Sequence, residues 1–170
     1  MKRVAICGVM IALCLMFSYI EVLIPIMPSV PGIKLGLSNG LVLIILYIYG
    51  FREAFLVQVS RILLCAVLFG NPIAFFYSIS AGVISLMCMV FFKRINAFPI
   101  IFNGMAGGMI HNAVQVVVAY LFIGSGYIYS LLPILIIAGA VCGLLTGFLS
   151  SRIVAFYNKT GRTDQYDSLS

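Results

Sequence analysis

An all-α integral membrane bundle of six transmembrane helices, with both termini cytoplasmic, is the fold class this sequence predicts. Three observations predict it. Of 170 residues, 64% are apolar and only 8% are charged, far less charge than a soluble domain of this size needs to cover its surface. At about 20 residues per crossing, the length leaves room for about six spans with short connections and for no soluble catalytic domain. Divided that way, the chain places nearly all its basic residues on one side.

The first span is expected from Val4 to Ile24. Lys2 and Arg3 precede it as they precede a secretory leader. No small-x-small cleavage site follows, because Phe17, Ser18, Tyr19 and Ile20 lead into Glu21, so the span is expected to be retained. The segment Pro25 to Gly32 carries Pro25, Pro28 and Pro31 and cannot continue a helix. The second span runs from Leu35 to Gly50 and stops at Phe51-Arg52-Glu53. The third runs from Ala54 to Phe69, before Gly70-Asn71. Pro72 suits a helix start, where its missing N–H has no partner to lose, and opens a fourth span that reaches Phe92 and ends at Lys93-Arg94. The fifth runs from Pro99 to Ile123, broken by Gly124-Ser125-Gly126, and the sixth from Tyr129 to Ser151. Residues 1–156 thus form one transmembrane domain, and 157–170 a polar cytoplasmic tail expected to be mobile.

Orientation follows from charge. Lys2, Arg3, Arg52, Lys93, Arg94, Arg152, Lys159 and Arg162 share one side in this scheme, Lys34 falls on the other, and Arg61 lies inside a span. The positive-inside rule makes the basic side cytoplasmic, in a cell membrane crossed several times. The net charge of +6 belongs to these loops. No basic cluster interleaved with groove-reading polar residues points to nucleic acid. Cys7, Cys14, Cys65, Cys88 and Cys142 lie in apolar runs without C-x-x-C spacing and read as small apolar residues.

Polar groups inside a bilayer are costly and tend to be functional. Arg61 lies about seven residues into the third span, roughly 10 Å deep, with Gln58 one turn away on the same side. Two readings stand side by side: a buried functional charge, and a side chain snorkelling to the inner surface. Glu21, the only carboxylate in a span, sits near the outer face at a different depth, so a pairing with Arg61 is not assumed. His111, Asn112 and Gln115 share overlapping faces of the fifth span. They are either interhelical hydrogen-bonding groups or the floor of a ligand pocket. One histidine without cysteine or carboxylate beside it does not make a metal site. Glu21, Pro31, Gly32, Lys34, Gly36, Ser38 and Asn39 form an outer loop and its flanks, read as a cap over a solute or as interfacial charges.

Small residues recur every four positions at Gly139, Gly143 and Gly147, at Gly104 and Gly108, and at Gly8 and Ala12. Such stripes let helices approach closely in lipid. Packing within the bundle explains them, and docking on another membrane subunit is the alternative, for which Gly8 and Ala12 are the better candidates. The only aspartates are Asp164 and Asp167 in the tail, so no D-D-x-x-D motif for Mg²⁺-diphosphate chemistry exists. No phosphate-binding loop and no Ser/His/Asp set is present either. The chain is expected to be no enzyme by itself and to carry no cofactor, ATP entering only through a partner.

The stretch Ser18-Tyr19-Ile20-Glu21, the run Pro31-Gly32-Ile33-Lys34-Leu35-Gly36-Leu37-Ser38-Asn39, Gly50-Phe51-Arg52-Glu53-Ala54, Arg61, and His111-Asn112 with Gln115 resemble the Gx transporter family. That family is also catalogued as the membrane form of heptaprenyl diphosphate synthase component I. The resemblance reaches to about Phe156, and Ser38 departs from it where alanine is expected. The family in turn resembles the substrate-binding S components of energy-coupling-factor vitamin transporters. Those have six helices, cytoplasmic termini and an outer loop covering the ligand, and they dock through small residues of the first helix on a coupling subunit with two ATPases.

The buried polar groups and the outer loop, together with the resemblance, point to a ligand site at Glu21, Lys34, Asn39, Arg61, His111, Asn112 and Gln115, with docking at Gly8 and Ala12. The expected function is uptake of a small vitamin-like or isoprenoid-related solute. The alternative is a non-catalytic accessory subunit of a soluble heptaprenyl diphosphate synthase, in menaquinone side-chain synthesis, or of a quinone- or flavin-linked redox complex.

Overall fold

The computed structural model describes residues 2–23, 36–69, 72–96 and 98–167, with side chains described for all of these except 2–4, 22, 69, 73, 74 and 161–167. The described residues hold seven helices and no strand: α1 Lys2–Leu23, α2 Ser38–Ile48, α3 Phe51–Phe69, α4 Pro72–Ile95, α5 Ile100–Ile123, α6 Tyr127–Ser130 and α7 Leu132–Asp167. Phe75–Ile95, Ile100–Ile123 and Leu132–Thr160 are long and apolar enough to cross a bilayer.

Helix boundaries follow local chemistry. The α2–α3 break is made by Gly50 at φ 104°, a conformation that costs a residue without Cβ nothing. Arg52 and Glu53, expected between two spans, instead lie in the first turn of α3. Asn96, at φ 53°, turns the chain after α4. Phe92, Phe98 and Phe102 pack across that turn, with Phe98 stacked on Phe102 at 4.4 Å. Pro99 then caps the start of α5, and Gly124, at φ 69°, closes it through an N–H bond to the Tyr120 carbonyl.

Two further boundaries depart from expectation. The second helix has 11 residues, about 16 Å of rise, roughly half a hydrocarbon core. It begins at Ser38, not Leu35, because Gly36 takes a left-handed φ of 80°. The sixth expected span divides into α6 and a 36-residue α7, so helix continues past Phe156 to Asp167, where the sequence reads as a mobile tail. Tyr157 lies 6.2 Å from Tyr49, which brings this extension beside the end of α2.

The most extensive helix pairing joins α5 to α7. A Cβ at Gly104 would stand 2.6 Å from Gly147 Cα, one at Gly139 2.5 Å from the Gly108 carbonyl oxygen, and one at Gly143 would strike the Gly104 carbonyl oxygen. The glycine stripes of these two helices therefore pack against each other inside the bundle. A Cβ at Gly8 would meet nothing within 4 Å, and Gly8 and Ala12 are exposed on α1. Two apolar clusters complete the interior. One joins Cys14, Val42, Leu43, Ala54, Val57, Leu86 and Met89 across α1 to α4. The other joins Tyr77, Val116, Ala119, Ile128, Leu131 and Leu135. The five cysteines are free thiols.

Candidate functional site: a buried arginine centre

Arg61 is 6% exposed and points inward, so it does not snorkel to a surface. Its Nε donates to Gln58 Oε1 at 2.9 Å, one turn back on α3. Nη1 donates to Ser18 Oγ of α1 at 3.4 Å and to Ser38 Oγ of α2, and Nη2 donates to Asn39 Oδ1 at 3.0 Å. Four neutral side chains from three helices thus hold one guanidinium. The planar fork of arginine suits this task, since its donors diverge at fixed angles.

The surroundings explain why the charge stays in place. Ser18, Arg61 and Ser38 each lie four residues from Cys14, Val57 and Val42 respectively, and all three of those are 0% exposed. One helical turn away on each helix the interior is therefore apolar. In a medium of low dielectric, hydrogen bonds to a charge strengthen, and leaving the charge without partners is expensive.

Glu21 approaches the same helix start from α1. Its Oε1 accepts the Leu37 N–H at 2.7 Å, placing a carboxylate at the N-terminus of α2, where the helix dipole favours it. Glu21 and Arg61 thus grip adjacent residues: the carboxylate holds Leu37, and the guanidinium holds Ser38 and Asn39.

The fifth-span group is buried as a whole, with His111 3%, Asn112 0% and Gln115 0% exposed, but it faces two ways. His111 adjoins α2: a Cβ at Gly36 would stand 3.1 Å from its Cδ2 and 2.9 Å from Asn39 Nδ2. Asn112 adjoins α7, where its Nδ2 donates to the Leu135 carbonyl at 2.8 Å. The structure therefore brings Glu21, Asn39, Arg61 and His111 together around the start of α2, and ties the Asn112 amide to α7. Lys34, Pro31 and Gly32 lie outside the described residues.

A narrow crevice adjoins Asn39, lined by Gly36, Gly40, Gly104, Gly108, Met89 and Thr146 among others. In this conformation it is closed to a molecule the size of water.

Three features escaped the sequence. Ser18 is a ligand of Arg61. Its signal was a hydroxyl three residues before Glu21, on the same face of an apolar helix. Gly82 on α4 makes room for the Gln58 amide, which a Cβ there would strike. Asn103, 1% exposed, ties α5 to its neighbours by donating to the Met89 carbonyl at 2.9 Å and to the Tyr47 hydroxyl at 3.1 Å. Among the described residues, no group of three or more His, Cys, Asp or Glu is placed to hold a metal ion.

With three helices long and apolar enough to cross a bilayer, and a charge buried between the neighbouring α1, α2 and α3, the chain falls in the class of helical membrane proteins. Within that class the family is shown directly. A family profile described as heptaprenyl diphosphate synthase component I matches residues 10–153, and the chain belongs to that family. Comparison with curated proteins and with solved structures returned no match.

Proposed function

We propose that this protein is a non-catalytic, membrane-embedded subunit that holds a small molecule at the Arg61 centre and works beside a separate partner. The observation that carries the reading is the burial of Arg61 in a shell of neutral side chains from α1, α2 and α3. Structural packing alone seldom calls for a charge at such depth, whereas binding does. The remaining parts of the proposal are six crossings of the cell membrane, cytoplasmic termini, and Glu21, Lys34, Asn39, His111, Asn112 and Gln115 as further contributors to the site.

The family description favours an accessory role. A "component I" implies another component, and the absence of any D-D-x-x-D motif assigns diphosphate chemistry to that partner, a soluble prenyl diphosphate synthase. A second reading is uptake of a small vitamin-like or isoprenoid-related solute through a coupling subunit with ATPases. The exposed Gly8–Ala12 face of α1 favours it, because small residues there leave room for another membrane helix.

Affinity purification of the tagged full chain from its native membrane distinguishes them. An aspartate-rich soluble synthase is expected with the accessory role, and a membrane coupling subunit with ATPases in its place supports uptake. Recovery of neither, with isoprenoid synthesis and solute uptake both unchanged in a deletion strain, contradicts the proposal.

A further inference from the structure

The hydrogen bonds around Arg61 have a direction. Asn39 and Gln58 each turn the carbonyl oxygen of their amide toward the guanidinium. Reversing either amide would set its N–H₂ group against a positively charged donor, so Arg61 fixes both orientations. The N–H₂ ends must then point outward. Asn39 Nδ2 and Gln58 Nε2 are both buried and, among the described residues, neither has a hydrogen-bond acceptor, although the two residues are only 5% and 0% exposed. The hydroxyls of Ser18 and Ser38 also accept from Nη1, which leaves their own protons to donate away from the guanidinium.

The shell thus converts one buried positive charge into a set of outward donors. Buried donors almost always have acceptors in folded proteins, and each one left unmet is costly. The Asn112 carbonyl oxygen, also unpartnered among the described residues, does not meet this need, because neither Asn39 Nδ2 nor Gln58 Nε2 reaches it within hydrogen-bond distance. What the Arg61 shell lacks is oxygen.

We infer that the molecule held here presents an oxygen-rich anionic head group, a phosphate or a carboxylate, to Asn39 Nδ2 and the surrounding donors, and that the crevice beside Asn39, closed to water in this conformation, opens to admit it. The inference deepens the proposed function and rests on it. Asn39 is the better placed of the two amides. Its Nδ2 sits beside Gly36 and His111 and borders the crevice between α2, α5 and α7, whereas the Gln58 amide is packed against Gly82. A Cβ at Gly36 would come within 2.9 Å of Nδ2, so glycine keeps that donor uncovered.

The test uses the full chain in phosphatidylcholine nanodiscs and three ligands with one tail: geranyl phosphate, geraniol and geranylamine. Geranyl phosphate is expected to raise the melting temperature by at least about 2 °C, with no rise from the alcohol or the amine. Asn39→Asp keeps an oxygen for Arg61 but replaces the outward N–H₂ with a second oxygen. It is expected to fold and to lose the shift. A rise with inorganic phosphate alone would identify a free anion as sufficient. A rise on moving to anionic-lipid nanodiscs without added ligand would identify a lipid head group. Either supports the head-group class.

An equal rise with geraniol or geranylamine, or an undiminished phosphate shift in Asn39→Asp, overturns the inference. Mass spectrometry of the native protein separates its failure from that of the underlying reading. A retained neutral or cationic molecule refutes only the anionic head group. No retained molecule and no shift with any ligand refutes binding itself.

Discussion

Arg61 Nη2 lies 3.0 Å from Asn39 Oδ1, and that bond joins the middle of α3 to the first turn of α2. It also explains how an 11-residue helix is held in place. At its start, α2 is fixed by Arg61 through Ser38 and Asn39 and by Glu21 through Leu37. At its other end, Lys93 Nζ donates to the Leu46 carbonyl at 2.5 Å and lies 5.0 Å above the Tyr47 ring.

Arg61→Leu should be among the most damaging single changes. It removes the donor from four buried acceptors at once. Hydrogen bonds to charged groups contribute roughly 1.5–3 kcal/mol each, without simple additivity. The expected loss is therefore at least about 3 kcal/mol, read as a lower melting temperature in detergent. Arg61→Lys should recover only part of it, because an ammonium cannot reach both Gln58 and Asn39 as a fork does.

Gly143→Val and Gly8→Val should differ sharply. The first drives a side chain into the Gly104 carbonyl and Met105 Cα, and overpacking of this kind costs roughly 1–3 kcal/mol or more. The second meets open space and should stay within about 0.5 kcal/mol. Thermal unfolding of the two variants checks the contrast. A stable Gly8→Val that no longer recovers its membrane partner would place the docking surface on α1.

Gly36→Ala combines two penalties. A left-handed φ of 80° costs a non-glycine residue roughly 1–2 kcal/mol, and the added methyl would press on Asn39 Nδ2 at 2.9 Å and His111 Cδ2 at 3.1 Å. Lower stability is expected together with weakened ligand retention. Lowered stability with undiminished retention would show that the Asn39–His111 edge takes no part in binding.

Lys93→Met should loosen the end of α2. It removes the bond to Leu46 and the contact with the Tyr47 face, together about 1–3 kcal/mol. Faster hydrogen exchange at the last turn of α2, with unchanged exchange in α5, is the expected signature.

The helical architecture was legible because hydropathy and proline-glycine breaks act locally. Pro72, Pro99 and Gly124 each mark a helix end within a residue or so. The start of α2 was not, since Leu35, Gly36 and Leu37 read as apolar helix while the turn is set by a left-handed glycine. Arg61 was legible as a candidate because a charge in an apolar run is conspicuous. Its partners were less so. Ser18, 43 positions away in sequence, becomes a neighbour only through packing. The split between His111 and Asn112 also depends on where α2 and α7 sit, and i, i+1 spacing does not encode that.

Ligand binding at the Arg61 centre is decided by native mass spectrometry of the purified full chain beside its Arg61→Gln variant. A small molecule should be retained by the native chain and released by the variant, with the variant still folded by circular dichroism. A native chain that carries nothing, or a molecule retained equally by both, would contradict it.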